Sequence, residues 1–250
     1  MKQPTLCLVI PCRDDADLLG PCLESFTRQS VALDGIVVVD NDSSDNSAEV
    51  ARHYGAHVVH EPRVGITWAA SAGYDAAADM GYDIIWRTDA DSYAHPDSVL
   101  QLHRLWQHRS GRGKKVVGYV GAASFSVPLV GALLGSLYLG AYRHSVSTAL
   151  GHQPLFGSNC SFTTEWWASV RNTVDVTDTF AHDDIQLSFS VRPDETVLYS
   201  RRPRLVLDPR ALKGASQLRR RFTRGWHSMM RGFEVSPPPR RLLQRLRPVD

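Results

Sequence analysis

Cysteine is scarce in this chain. Its four copies, Cys7, Cys12, Cys22 and Cys160, form no C-x-x-C pair, so no disulfide framework is indicated and a reducing cytoplasm is the expected setting. The opening Met-Lys-Gln-Pro runs straight into a short strand-like stretch with no signal-peptide hydrophobic segment. There is no low-complexity tract and no internal repeat, and a mixture of 43% hydrophobic and 22% charged residues argues against disorder. Charge is missing altogether between Val116 and Tyr142. Pro128 divides that stretch, and the part after it is too short and too glycine-rich for a transmembrane span. It reads as a core helix with Val130, Leu133, Leu134, Leu137 and Tyr138 on one face, an interfacial helix being the alternative. Acidic residues thin out towards the end. Residues 201–250 hold three acids against 14 Arg or Lys, whereas the first 200 residues hold 23 acids against 14 bases. A basic block of that kind points to an anionic partner such as phosphate or a membrane surface.

What the chain does contain is a series of short apolar runs, each followed by a polar turn and an amphipathic helix. Leu6–Ile10, ended by Pro11, is too short for a helix and continuous enough for a strand buried on both faces. A helix with Leu19, Cys22, Leu23 and Phe26 on one stripe follows. Ile36–Val39 is a second strand, then come the turn Asp40–Asp45 and a helix over 48–54 that Gly55 ends. Val58-Val59 leads through the loop 61–65 into a helix over 67–80, rich in small residues that permit a close approach. Ile84–Arg87 is a further strand, followed by a helix over 97–108, and 116–122 is another strand. The alternation predicts one α/β domain with a mostly parallel, Rossmann-like sheet flanked by helices over residues 1–235, and a basic tail over 236–250.

Three polar clusters carry chemistry. Asp89-Ala90-Asp91 stands just beyond a strand's C-terminal end, where open α/β sheets bind ligands, and two carboxylates so close call for a cation. Hard oxygen ligands suit Mg²⁺ or Mn²⁺, which commonly bridge protein to diphosphate. On its own the pattern reads first as a turn and cap before His95-Pro96-Asp97, and the other motifs shift it towards a metal. Asp183-Asp184 is a second pair at a helix start, available for acid/base work or simply facing the helix dipole. Arg219 to His227 sets four arginines (Arg219, Arg220, Arg221, Arg224) around Phe222 and Trp226.

Taken in order, these motifs resemble the family 2 glycosyltransferases of the GT-A fold, from about Thr5 to Trp226. Val9-Ile10-Pro11 is similar to the family's first strand and turn, and Asp40-Asn41-Asp42 to its nucleotide-base loop. Asp89-Ala90-Asp91 resembles its metal motif, Phe156-Gly157-Ser158-Asn159 its acceptor-side glycine loop, and Asp183-Asp184 its acidic pair with the base in second place. Arg221-Phe222-Thr223-Arg224-Gly225-Trp226 resembles the arginine motif that meets the diphosphate. The chain departs from the pattern at Asn41, where an aspartate often reads the base, and at Ala70-Ser71, where Arg-Asn is common.

The resemblance implies an inverting, metal-dependent glycosyltransferase that moves a sugar from a UDP-, GDP- or dTDP-sugar to a glycan, lipid-linked or small-molecule acceptor. Mn²⁺ or Mg²⁺ would sit on Asp91 and Asp89, with His227 as a third ligand. Pro11, Arg13, Asp40, Asn41, Asp42, Arg63, Gly65, Asp89, Ala90, Gly157, Arg221 and Arg224 would bind the donor, and Asp184, with Asp183 beside it, would be the base. Rivals are a nucleotidyl- or sugar-phosphate transferase on the same scaffold and a non-catalytic nucleotide-sugar or membrane-binding module. No nucleic-acid partner is expected. The tail, through Arg241, Arg245 and Arg247 beside Leu242, Leu243 and Leu246, is expected to touch an anionic membrane from the cytoplasmic side.

Overall fold

The computed structural model describes residues 3–109, 111, 113–127, 129–212 and 215–246. Its frame is an eight-stranded sheet in the order β3-β2-β1-β4-β7-β6-β8-β5. β1 (Leu6–Cys12), β2 (Gly35–Asp40), β3 (His57–His60) and β4 (Ile84–Arg87) are mutually parallel. β7 (Cys160–Thr163) then runs antiparallel between β4 and β6 (Lys115–Phe125). β8 (Glu195–Leu207) returns parallel to β6 and carries the short β5 (Ser92–Ala94) antiparallel on its outer edge.

Both faces of β1 are covered, which is why its sequence is apolar without alternation. Leu6, Leu8 and Ile10 join Leu23, Phe26 and Trp86 in one core, under α1 (Ala16–Thr27) and α4 (Ser98–Gln107). Cys7 and Val9 enter the opposite core with Tyr74, Phe162 and Trp166, under α3 (Ile66–Asp79) and α6 (Thr164–Val170). All four cysteines are buried free thiols. The small residues of α3 do bring it close: a Cβ on Gly73 would stand 2.5 Å from Val9 Cγ1 and 2.8 Å from Val39 Cγ2. α2 (Ser47–His53) covers the β2–β3 connection and ends at Gly55, whose φ of +76° suits glycine.

Two expectations are corrected here. The first concerns α5 (Leu129–Leu150), where Leu133 and Leu137 are 63% and 60% exposed rather than in the core. The packed side is the one carrying Gly135, whose missing Cβ leaves room for the Phe125 ring of β6. Val130, Leu134 and Tyr138 have side chains outside the described set.

The second concerns the basic end. Residues 236–246 are not a free tail, because Pro238–Leu246 forms α9 and Arg241 and Arg245 turn inward. Arg241 is buried and donates to the Phe189 carbonyl at 3.1 Å, while Arg245 donates to the carbonyls of Glu195 and Val191 at 2.9 and 3.0 Å. Carbonyls left over at the ends of helices and strands take these guanidinium donors, so the two charges are spent inside the protein. Arg240, Leu242 and Leu243 remain on the outside; Arg247 and the Leu246 side chain lie outside the described residues. No helix among those residues is long and apolar enough to cross a membrane.

Candidate active site

A cleft of about 820 Å³ opens beyond the C-terminal ends of β1, β2 and β4, the position where parallel strands leave a ligand crevice. Asp89 and Asp91 line it together with Asp183 and Asp184, which stand on the first turn of α7 (Asp183–Phe189). Arg13, Arg210, Arg220, Arg221 and Arg224 stand around it.

Between the two acidic pairs lies Arg87, the last residue of β4, 3% exposed. Its Nη1 donates to Asp89 Oδ1 at 2.6 Å and its Nη2 lies 3.6 Å from Asp183 Oδ2. A buried guanidinium is costly unless carboxylates compensate it, and here one fork serves two. Burial alone would raise Asp89, but the Arg87 charge and the Ser158 hydroxyl, donating at 2.5 Å, hold its carboxyl below the usual range. Asp183 is the reverse case: burial outweighs Arg87 and pushes it up to about 6.

Asp184 accepts from the Gly157 backbone N–H at 2.8 Å through Oδ2, and its Oδ1 is buried with no hydrogen-bond partner among the described residues. Gly157 is glycine for a steric reason, since a Cβ there would collide with Arg87 Nη1. We therefore expect Gly157→Ala to push the guanidinium out of line and to cost about 1–3 kcal/mol, read as a lower midpoint in urea unfolding. Next to it, Asn159 ties three strands together, accepting from Trp86 Nε1 at 3.0 Å and donating to the Ala122 and Pro203 carbonyls at 2.8 and 3.0 Å.

Asp91 is held differently. Arg210, in a short 3₁₀ turn after β8, donates through Nε to Asp91 Oδ2 at 2.9 Å and clasps both oxygens of Asp15 with its terminal nitrogens. Burial and the neighbouring Asp89 charge raise the Asp91 carboxyl, and Arg210 opposes them. A divalent cation fits this donor set in a particular way. Asp91 Oδ1 accepts from no donor among the described residues, and Mg²⁺ and Mn²⁺ typically take one or two carboxylates and complete their shell with substrate phosphate and water. Among the described residues no group of three His, Cys, Asp or Glu side chains converges on a metal position.

The sequence-derived set divides. Pro11, Arg13, Asn41, Gly65, Asp89, Ala90, Asp91, Gly157, Asp183, Asp184, Arg221 and Arg224 meet in the cleft. Asp40, Asp42, Arg63 and His227 do not line it. His227 Nε2 instead pairs with Asp178 Oδ2 at 2.7 Å, beside the Phe180 ring. Arg63 binds Glu61 through two nitrogens at 2.7 Å each and lies 3.6 Å over the Trp68 ring.

Asp40 caps its own turn, accepting from the Ser43 N–H at 3.1 Å; Asp42, at φ +57°, sits in that turn. Asn41 is at the cleft, but its amide is used up: Nδ2 donates to the carbonyls of Glu61 and Arg63 and Oδ1 accepts from Gly65 N, each at 2.8 Å. It builds the 61–65 loop rather than offering a free side chain to a base. Arg224 likewise donates to the Phe180 and Ala181 carbonyls at 2.9 Å each, fixing the segment before α7 to α8 (Ala215–Val235). Arg87, Arg210 and Asp15 were not singled out from the sequence.

Comparison with known proteins agrees with this geometry. Residues 7–111 match the model of the family described as glycosyl transferase family 2. An uncharacterized glycosyltransferase of Mycobacterium tuberculosis is 34% identical over 122 residues, 47% of this chain and 53% of the relative. A 4,4'-diaponeurosporenoate glycosyltransferase of Staphylococcus aureus is 41% identical over 116 residues, 45% of this chain and 31% of the relative. The chain thus spans about half, or less, of the length of these curated relatives. Among solved structures, a mannosyltransferase from Pyrobaculum calidifontis in complex with GDP-Man and Mn²⁺ superposes with a TM-score of 0.69 at 17% identity, covering 98% of this chain and 69% of that one. Glucosyl-3-phosphoglycerate synthase from M. tuberculosis, with Mn²⁺ and UDP, superposes at 0.52 with 18% identity over 78% of this chain and 70% of that one. At such identities the likeness is one of fold. Residues 7–111 are thus similar to glycosyl transferase family 2, and the sheet that carries this segment has the GT-A fold of the solved glycosyltransferases.

Proposed function

We propose that the chain is an inverting glycosyltransferase that moves a sugar from a nucleotide diphosphate sugar to an acceptor hydroxyl, with a divalent cation at Asp91. The observation that carries this is that two acidic pairs line one cleft, rimmed with arginines. Asp91 holds the donor side, where Mn²⁺ or Mg²⁺ would draw charge from the leaving diphosphate. Arg13, Arg220 and Arg221 supply further positive charge at that side, and the 61–65 loop built by Asn41 walls the nucleoside.

On the far side Asp184 Oδ1, free of donors, takes the proton of the acceptor hydroxyl as its oxygen bonds to the anomeric carbon and the bond to diphosphate breaks. The Gly157 N–H keeps that carboxylate in place, and Arg87 holds its neighbour Asp183. One displacement with attack opposite the leaving group inverts the anomeric centre.

The test is donor binding by calorimetry. Wild type should bind a UDP- or GDP-sugar with Mn²⁺ and lose at least about tenfold in affinity, 1.4 kcal/mol, in EDTA. Asp91→Asn should show the weaker affinity whether or not Mn²⁺ is present. Equal affinity of wild type in EDTA and in Mn²⁺ would remove the metal from the reading.

A further inference from the structure

A second, smaller cavity of about 230 Å³ adjoins the cleft. Its floor is β6 and β8, and its roof is one face of α5: Ser136, Leu139, Gly140 and Arg143 follow the i, i+3, i+4, i+7 spacing that stacks side chains along a helix. Leu139 and Phe156 line both spaces, so the two are separated only by these side chains. Phe156 directly precedes Gly157, whose N–H holds Asp184. The smaller cavity therefore borders the loop that holds Asp184.

The lining is chemically one-sided. It contains two arginines, Arg143 and Arg204, and no Asp or Glu. Arg143 lies with its guanidinium carbon 3.8 Å from the centre of the Tyr199 ring, which orients the fork without neutralising it. Among the described residues neither arginine makes an ion pair with a carboxylate. Every buried or half-buried arginine in the main cleft has an oxygen partner: Arg87 its two aspartates, Arg210 Asp15 and Asp91, Arg224 two carbonyls. Two guanidinium forks, together with the hydroxyls of Ser124 and Ser136, offer more donors than a single carboxylate can accept, and a phosphate oxygen set matches them better.

We propose that this cavity is the seat of a phosphate group on the acceptor, so that the substrate receiving the sugar is a phosphorylated hydroxy compound whose hydroxyl reaches Asp184 past Phe156. This rests on the glycosyltransferase reading above and names the class of acceptor for it. The volume admits a phosphate and a few carbon atoms, which is smaller than an ordinary drug-sized pocket. The rest of the acceptor extends either into the cleft, for a small molecule, or outward past Leu133 and Leu137, for a phospholipid.

The experiment measures phosphate binding without turnover. Wild type, Arg143→Gln, Arg204→Gln and Gly140→Leu are titrated with glycerol phosphate by calorimetry, and sedimented with phosphatidylglycerol vesicles. A Cβ on Gly140 meets nothing within 4 Å, so leucine there fills the cavity without displacing the helix, and matched far-UV spectra and melting temperatures check folding. Binding in one arm by wild type, weakened at least about tenfold by each arginine change and lost in Gly140→Leu, supports the proposal, and the arm that binds identifies a soluble or a lipid acceptor. No binding in either arm, or equal binding by all four proteins, overturns it. UDP or GDP with Mn²⁺ is titrated in parallel and should bind all four alike. Loss of that signal in wild type would instead defeat the donor-site reading and leave the phosphate seat standing on its own result.

Discussion

Replacing Arg87 with glutamine is expected to destabilise the protein by about 3–5 kcal/mol, the usual cost of removing one partner from a buried ion pair. The side chain is 3% exposed and stands between Asp89, at 2.6 Å, and Asp183, at 3.6 Å. Its loss leaves the buried Asp183 and the half-buried Asp89 facing each other's charge, with Ser158 still donating to Asp89. The cost should depend on pH in a defined direction. Asp183 already has a folded-state value of about 6, above its ordinary 3.8. A carboxyl raised on folding keeps its full contribution below the unfolded value and loses it as pH climbs through the folded one. In the variant Asp183 would be raised further, and Asp89 would lose the charge that holds it below the usual range. The gap between variant and wild type should therefore be largest at pH 7 to 8 and narrow towards pH 4, as Asp183 becomes protonated in both proteins. Urea midpoints at pH 4 and pH 7.5 measure it. A pH-independent gap would mean that Arg87 works by packing and not by charge.

The second large effect is on rate. Asp184→Asn should lower turnover by about 10²–10⁴, the range for a lost general base, while donor and metal bind as in wild type. Asparagine keeps an oxygen for the Gly157 N–H, so the loop geometry is preserved and the loss is chemical. Asp183→Asn is the discriminating control. Asp183 faces Arg87 rather than a donor-free opening, so its substitution should change stability and its pH dependence more than turnover. If Asp183→Asn proves the slower enzyme, the base is Asp183, and its elevated value would appear as the acidic limb of the rate profile. A product with retained anomeric configuration would contradict single displacement by either residue.

The sequence made one half of this architecture readable and hid the other for a physical reason. β1, β2 and β4 are buried on both faces, so Leu6–Ile10, Ile36–Val39 and Ile84–Arg87 stand out as uninterrupted apolar runs. β8 exposes Arg201, Arg202 and Arg204 and contains Pro203, so no continuous apolar run marks out its 13 residues. Asp89, Asp91, Asp183 and Asp184 were legible because each pair is contiguous or nearly so, at an element's end. Arg87 and Arg210 were not, because their partners lie 96 and 119 residues away, for Asp183 and Asp91 respectively. His227 and Asn41 show the opposite failure. Each has a side chain suited to the role expected of it, and each is claimed by a nearer partner: Asp178 for the histidine, and the backbone of the 61–65 loop for the asparagine. No local pattern reveals such competition.

The clasp of Arg210 on Asp15 joins residues 195 apart. Closing a loop of that length costs on the order of 5 kcal/mol of chain entropy beyond the constant term, a debt that a single half-exposed ion pair cannot meet. The contact must form last, on a sheet already assembled, so the donor side of the cleft is completed only when almost the whole chain has folded. During synthesis from the N-terminus, Asp15, Asp89 and Asp91 are all made long before Arg210. A truncated product ending near residue 111, although it contains the entire matched family segment, would carry the metal carboxylates without their clasp and without either acidic residue of the acceptor side. On the proposed assignment the acceptor-side acids at 183 and 184 are therefore made before the Arg210 clasp that completes the donor side, and a product that stops short of Arg210 lacks that clasp however well its sheet has formed.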